Sequence, residues 1–299
     1  MERSIYRNLI KKLRKYEIFI RKAITNQMQG DFHSVFKGSG ITFDDVRAYQ
    51  YGDDIRSIDW NASAKGHGTF VKTYKEEREQ VVHFLLDVSA SQEIGDTGHQ
   101  KVDIGKEICG VLTLAAIKEA SQVGLLCFSD RKEKYVKPGK GQQHAYQILS
   151  GLYELQAISR KTDLNAAMLY LLNIVKRRSM VIFISDFIDE NYIYNLKALA
   201  RKHDLIVIHL SDKRETRMPD LGILPVYDKE SGKTRWVNSS SMTFRKRIKN
   251  TYADNKKTLE EFCRKQQANY LSIDTSEDYV PKLINLFKVR NLRRGRKSA

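Results

Sequence analysis

The 299-residue chain has little cysteine and no long apolar run. Its three cysteines, Cys109, Cys127 and Cys263, are odd in number, far apart and without CxxC spacing. That excludes a disulfide framework and a cysteine metal site, and leaves reduced, buried thiols. The longest apolar stretches, such as Val111–Ile117 around Thr113, fall far below the ~18 residues a bilayer span needs. The N-terminus carries charges every few residues and lacks an apolar h-region, so it is not a secretory signal. No P-loop, GxGxxG or GxSxG accompanies the apolar runs, and the seven histidines do not gather in sequence. No internal repeat or low-complexity segment is present. A cytoplasmic protein without a transmembrane segment is expected.

What the chain does have is charge of one sign. It carries 52 Lys and Arg against 36 Asp and Glu, a net +16, with a pI near 9.6. At 41% hydrophobic residues it can nevertheless bury a sizeable core. The excess is localised. Residues 1–30 hold eight basic and two acidic residues, and residues 286–299 hold six basic residues and no acid. These two ends carry +12, so the body between them is close to balanced.

Ile5, Leu9, Leu13, Tyr16 and Ile20 form one helical stripe, which predicts a basic amphipathic helix within residues 1–30. Such a helix can dock on its own domain, or lie on anionic lipid or a partner. Residues 31–79 lack a clear helical or strand period but are rich in aromatic residues: Phe43, Tyr49, Tyr51, Trp60, Phe70 and Tyr74. The expectation is an irregular segment whose aromatic side chains pack down on the main domain.

From residue 80 the pattern becomes regular. Continuous apolar runs at 81–88, 123–129, 180–187 and 205–212 predict strands covered on both faces. Helical spacing lies between them, at 104–115, 142–155, 164–177 and 190–202. A possible hairpin arm follows the second strand at Glu133–Val136. A hairpin is predicted at 226–237, turning at Ser231-Gly232, then a long helix at 241–267, a short strand at 269–273 and a basic helix from about 277. Alternating strands and helices predict an α/β fold with a doubly wound, mostly parallel sheet of Rossmann type over 80–275, and a basic helix or tail over 276–299.

In such a sheet, ligands bind at the carboxyl ends of the strands. The first strand ends in Asp87-Val88-Ser89-Ala90-Ser91 and the third in Ser185-Asp186, while Thr162 stands at the start of a helix. Two carboxylates and three hydroxyls are all hard oxygen donors. Together they can surround a Mg²⁺-sized ion at ~2.0–2.1 Å and leave one position open. The bland alternative is that the hydroxyls cap helices and the carboxylates merely end strands. His83, inside the first strand, reads as a core residue.

These residues resemble the metal-ion-dependent adhesion site of von Willebrand factor A-like domains. Asp87, Ser89 and Ser91 match its DxSxS, Thr162 its single threonine and Asp186 its later aspartate. The resemblance implies a divalent ion (Mg²⁺, or Mn²⁺ or Ca²⁺) that completes its coordination with an Asp or Glu from a partner protein. Lys161 stands where that family often has Gly, and Gln92 where Met is frequent. Residues 38–66, with Gly38, Gly40, Phe43, Arg47, Tyr49, Gly52, Asp53, Arg56, Asp59, Trp60, Ser63 and Ala64, are similar to domain-of-unknown-function family fifty-eight. Pro138-Gly139, Glu215, Pro219 and Gly222 also fit it. That resemblance implies a bacterial cytoplasmic protein acting with a MoxR-type AAA+ ATPase in protein maturation or complex assembly.

Two other functions are open on the sequence. The basic ends can bind nucleic acid or an anionic membrane surface, peripherally and with steep salt dependence. A Mg²⁺ ion with carboxylates also serves phosphate-ester hydrolysis, but no positioned general base accompanies it here. The leading expectation is a non-enzymatic, metal-dependent interaction module.

Overall fold

The computed structural model describes residues 13–16, 18, 41–66, 68–76, 80–217, 219–227 and 232–295. Most of the amphipathic stripe predicted within residues 1–30, and the Ser231 position of the predicted turn, lie outside them.

The polar segment before residue 80 forms strands after all. β1 (Ile41–Ala48) and β2 (Phe70–Glu76) pair antiparallel, with a short helix α1 (Trp60–Lys65) between them. The register slips between Phe43 and Asp45. Such a bulge moves every later side chain to the opposite face, which is why no period of two shows in the sequence. The motif residues here hold the segment's own shape. Arg47 makes a two-pronged ion pair with Asp53, at 2.8 and 2.7 Å. Asp59 caps α1 by accepting from the Asn61 and Ala62 amides. The expectation that the aromatic residues pack down fails for Tyr51 and Trp60, which are fully exposed and 69% exposed. Tyr49 and Phe70 are half-buried, and the side chains of Phe43 and Tyr74 lie outside the described ones.

The main sheet begins with β3 (Val81–Asp87). The chain continues through α2 (Lys101–Lys118), β4 (Gln122–Phe128), β5 (Lys132–Gly139), α3 (Gly141–Tyr153), α4 (Leu164–Ile174) and β6 (Met180–Ser185). Next come α5 (Ile193–Lys202), β7 (Asp204–Ser211), a single turn α6 (Lys213–Thr216) and the separate hairpin of β8 (Ile223–Tyr227) and β9 (Thr234–Asn238). The chain ends with α7 (Met242–Lys265), β10 (Asn269–Asp274) and α8 (Tyr279–Gly295). The six-stranded sheet runs β10-β7-β6-β3-β4-β5. All its pairs are parallel except β4 with β5.

Strand pleating divides the core. Val82, Phe84 and Leu86 of β3, with Met180, Ile182 and Ile184 of β6, face α2, α3 and α8. Leu85, Val181, Phe183 and Val207 face α4, α5 and α7 on the other side. This three-layer arrangement explains the continuous apolar runs, because both faces of each central strand are dry. At the chain's start, residues 13–16 are helical, and Leu13 is fully buried in the first of these cores. The Tyr16 ring meets Tyr279 edge-on at 5.9 Å. All three cysteines are buried free thiols. No helix among the described residues is long and apolar enough to cross a membrane.

The order of strands places one crevice. The chain leaves β3 to build β4 and β5 on one side, then returns to build β6 and β7 on the other. The carboxyl ends of β3 and β6 therefore flank the point where the winding reverses, the standard ligand position of such sheets.

Candidate functional site

Asp87 closes β3 and is 1% exposed. One of its oxygens accepts from the Ser89 amide at 3.0 Å and the Ser89 hydroxyl at 2.7 Å. The other accepts from Ser185 Oγ at 2.7 Å and Gln92 Nε2 at 3.2 Å. A carboxylate with four donors has spent its acceptor capacity on holding its neighbours. Because the Ser89 proton points to Asp87, the hydroxyl's lone pairs point elsewhere. Ser91 Oγ lies 3.1 Å from Ser89 Oγ, and Gln92 Nε2 lies 3.4 Å from Ser91 Oγ. Gln92 is buried, yet its side-chain oxygen has no hydrogen-bond partner among the described residues. A buried acceptor left unsatisfied is costly, and here it stands at the wall of the hydroxyl cluster.

Asp186 follows β6 immediately and is also 1% exposed. It approaches Asp87 closely enough that burial first, and the Asp186 charge second, push the Asp87 carboxyl well above the usual carboxylate range. The next residue, Phe187, is held at φ +54°, a left-handed conformation that a bulky side chain rarely adopts. Packing over-determines it. Its ring sits 4.8 Å from Phe183, its amide donates to Ser185 Oγ at 2.9 Å, and Asn255 Nδ2 donates to its carbonyl at 3.0 Å. In this turn Asp186 Oδ1 accepts from the Ile188 amide at 3.3 Å.

Thr162 comes from the segment ahead of α4. The Ala90 amide donates to the Arg160 carbonyl at 3.0 Å and the Asp163 amide to the Ser129 carbonyl at 3.2 Å. These bonds dock the Thr162 segment beside the 87–91 loop and the end of β4. The capping alternative for the hydroxyls finds no support in this geometry. The cap of α4 is Asp163, which accepts from the Ala166 amide at 2.8 Å, so Thr162 lies outside the helix. Ser89 precedes a 3₁₀ turn, and its carbonyl accepts from the Gln92 amide at 3.1 Å while its hydroxyl makes no cap bond.

Two site residues escaped the reading of the sequence as chemistry. Lys101, the first residue of α2, is 0% exposed. Its ammonium donates to Asp186 Oδ2 at 2.6 Å and also to Glu215 of α6. Burial lowers the pKa of such an ammonium, but the two carboxylates outweigh it and raise the value overall. Glu215 appeared only as a family match, and a lysine at a helix start carries no sign in sequence that it points inward. Gly105, one turn along α2, allows the close approach. A Cβ there would lie 2.8 Å from Leu86 Cδ1.

The oxygen donors suit a hard divalent cation. Ser89, Ser91, Thr162 and the Asp186 oxygen not bound to Lys101 are the candidate direct donors, and Asp87 orients the hydroxyls from behind. Among the described residues no group of three or more His, Cys, Asp or Glu side chains is placed to hold a metal. Any ion here depends on hydroxyls. His83, His203 and His209 are buried; His209 Nδ1 lies 2.9 Å from the Tyr270 hydroxyl, and its ring lies against Asp186.

Fold and site define a doubly wound α/β domain with a hydroxyl-rich carboxylate pair at its switch point. The chain belongs to the family described as "Protein of unknown function DUF58", whose model matches residues 45–258. It is similar to the "Uncharacterized protein Rv1480" of Mycobacterium tuberculosis and the "Uncharacterized protein Mb1516" of Mycobacterium bovis. Each is 26% identical over 286 residues, covering 95% of this chain and 89% of the relative. Among solved structures it is similar to the conserved hypothetical protein BatB from Bacteroides thetaiotaomicron, with TM-score 0.45 and 13% identity over 72% of this chain and 99% of that one. It is also similar to the SpRpn10 VWA domain, with TM-score 0.38 and 10% identity over 69% of this chain and 94% of that one.

Proposed function

We propose that this protein is a non-enzymatic interaction module that captures an acidic side chain of a partner protein through a divalent cation. Ser89, Ser91, Thr162 and Asp186 hold the ion, Asp87 fixes the hydroxyls, and the partner's Asp or Glu fills the remaining position. The ion supplies the Lewis acidity that makes a carboxylate the preferred outside ligand. One observation carries this reading: the Asp87 carboxylate is spent on orienting Ser89 and Ser185. Hydroxyl oxygens are left beside a second carboxylate at the switch point.

The partner class proposed is a MoxR-type AAA+ ATPase in the cytoplasm, as implied by the family resemblance. The test is binding of the full chain to such an ATPase from the same organism, by biolayer interferometry in Mg²⁺ and in EDTA. Affinity is expected to fall at least about tenfold in EDTA, and equally for Asp87→Ala and Asp186→Ala in Mg²⁺. Equal affinity in all four conditions overturns the proposal.

A further inference from the structure

Four charges meet in the crevice in series: Asp87, Asp186, the Lys101 ammonium and Glu215. The ammonium sits 2.6 Å from the Asp186 carboxylate and is also bonded to Glu215, with both acidic side chains 2% exposed and Lys101 completely enclosed. Asp186 is the residue whose other oxygen the proposed divalent ion would use. A buried ammonium in that contact is already a cation on the same carboxylate. Charges this deeply enclosed are screened little by water, so each one alters the binding of any other. Glu215 is the counterweight. By accepting from the same ammonium it returns one negative charge to the crevice.

We infer that Lys101 is the site's resident cation, which neutralises Asp186 when no divalent ion is bound and competes with that ion when one arrives, with Glu215 setting the strength of the competition. The inference rests on the proposed metal site and deepens it. It gives that site a built-in weakness for a bare ion, so that a partner's carboxylate adds what the ion alone lacks. A lysine that only propped Asp186 in place would behave differently, since loss of either Lys101 or Glu215 would then loosen the site and weaken binding.

The experiment uses the full chain and Mn²⁺ as the probe, with free Mn²⁺ followed by electron paramagnetic resonance at pH 7.5. Lys101→Met is expected to bind Mn²⁺ about tenfold or more tighter than wild type, and Glu215→Gln about tenfold weaker. Lys101→Met strands two buried carboxylates, and breaking a buried pair in this way can prevent folding. The double variant Lys101→Gln/Glu215→Gln avoids that and is compared with Glu215→Gln, from which it differs only at residue 101, where a neutral amide replaces the ammonium. It is expected to regain the affinity that Glu215→Gln lost. Tighter binding on removing the lysine charge, in either background, supports the inference even where wild type binds too weakly to measure. Unchanged or weaker binding on removing it, in a wild type that binds Mn²⁺, overturns the inference and leaves the proposed function standing. Absence of Mn²⁺ binding in every folded variant overturns both.

Discussion

Leu13 and Gly110 provide a quantitative test of whether the chain's first helix belongs to the core. Leu13 is fully buried, and the place for its side chain is made by a missing one. A Cβ on Gly110 of α2 would stand 3.1 Å from Leu13 Cδ1 and 2.9 Å from Leu149 Cδ2 of α3. Leu13→Ala removes the lodged side chain and leaves a cavity among three helices, at a cost of about 3 kcal/mol. Gly110→Ala gains about 1 kcal/mol of helix propensity but forces a methyl into that contact, at about 2 kcal/mol, a net loss near 1 kcal/mol. In the Leu13→Ala background the contacts with Leu13 are gone and the methyl fills part of the cavity, while the contact with Leu149 remains. The same Gly110→Ala change should then be close to neutral, a coupling of about 1 kcal/mol. The assay is urea unfolding followed by circular dichroism on wild type, both single variants and the double. A Leu13→Ala loss below about 0.5 kcal/mol would show that this helix contributes nothing to the core. The same Gly110→Ala effect in both backgrounds would show that Leu13 is not what Gly110 accommodates.

Three further outcomes are expected. Ser91→Ala should leave stability without metal within about 1 kcal/mol of wild type, yet reduce the rise in melting midpoint produced by Mg²⁺; an undiminished rise removes Ser91 from the ligand set. Asp87→Asn relieves a buried carboxylate pressed against another. Its amide nitrogen, however, faces two of the four donors that the carboxylate accepts, so the variant should unfold at a somewhat lower urea concentration than wild type while losing the Mg²⁺ response. A large drop in urea midpoint with that response intact would refute its role. His83 and His203 are held neutral, burial being the main cause for each, down to about 4. Between that value and the ordinary 6.5 the unfolded chain binds more protons than the folded one. Their contribution is therefore complete above pH 6.5 and lost as pH falls towards 4, reaching roughly 3 kcal/mol for His83. Urea midpoints at pH 7.5, 5.5 and 4.5 should show the loss, and the double variant His83→Gln/His203→Gln should show a shallower one.

The central strands were legible because both faces of β3, β6 and β7 are dry, which leaves an unbroken apolar run that no other element of that length produces here. Asp87, Ser89 and Asp186 were legible for a related reason, since polar residues placed directly after such runs stand at the strand ends where sheets of this kind bind. The charges that balance them were not. Lys101 is buried only because Asp186, 85 residues away, and Glu215, 114 residues away, converge on it. Nothing local distinguishes it from the chain's many solvated lysines. β1 was hidden by its own bulge, which erases the alternation that marks a strand. Trp60 and Tyr51 misled in the opposite direction, because aromatic character promotes burial only where a partner surface exists.

The bond from Ser185 to Asp87 spans 98 residues. It forms only when β6 has docked against β3, after the intervening β4 and β5 have been added beyond β3 and α3 and α4 have been laid on opposite faces of the sheet. No fragment ending before residue 185 can assemble the crevice, and a partly folded chain presents its hydroxyls without its second carboxylate. Contacts of such long sequence separation close late and together. An ion held as proposed would therefore report on the completed domain, and a partner that read it would distinguish finished copies of this protein from nascent or damaged ones.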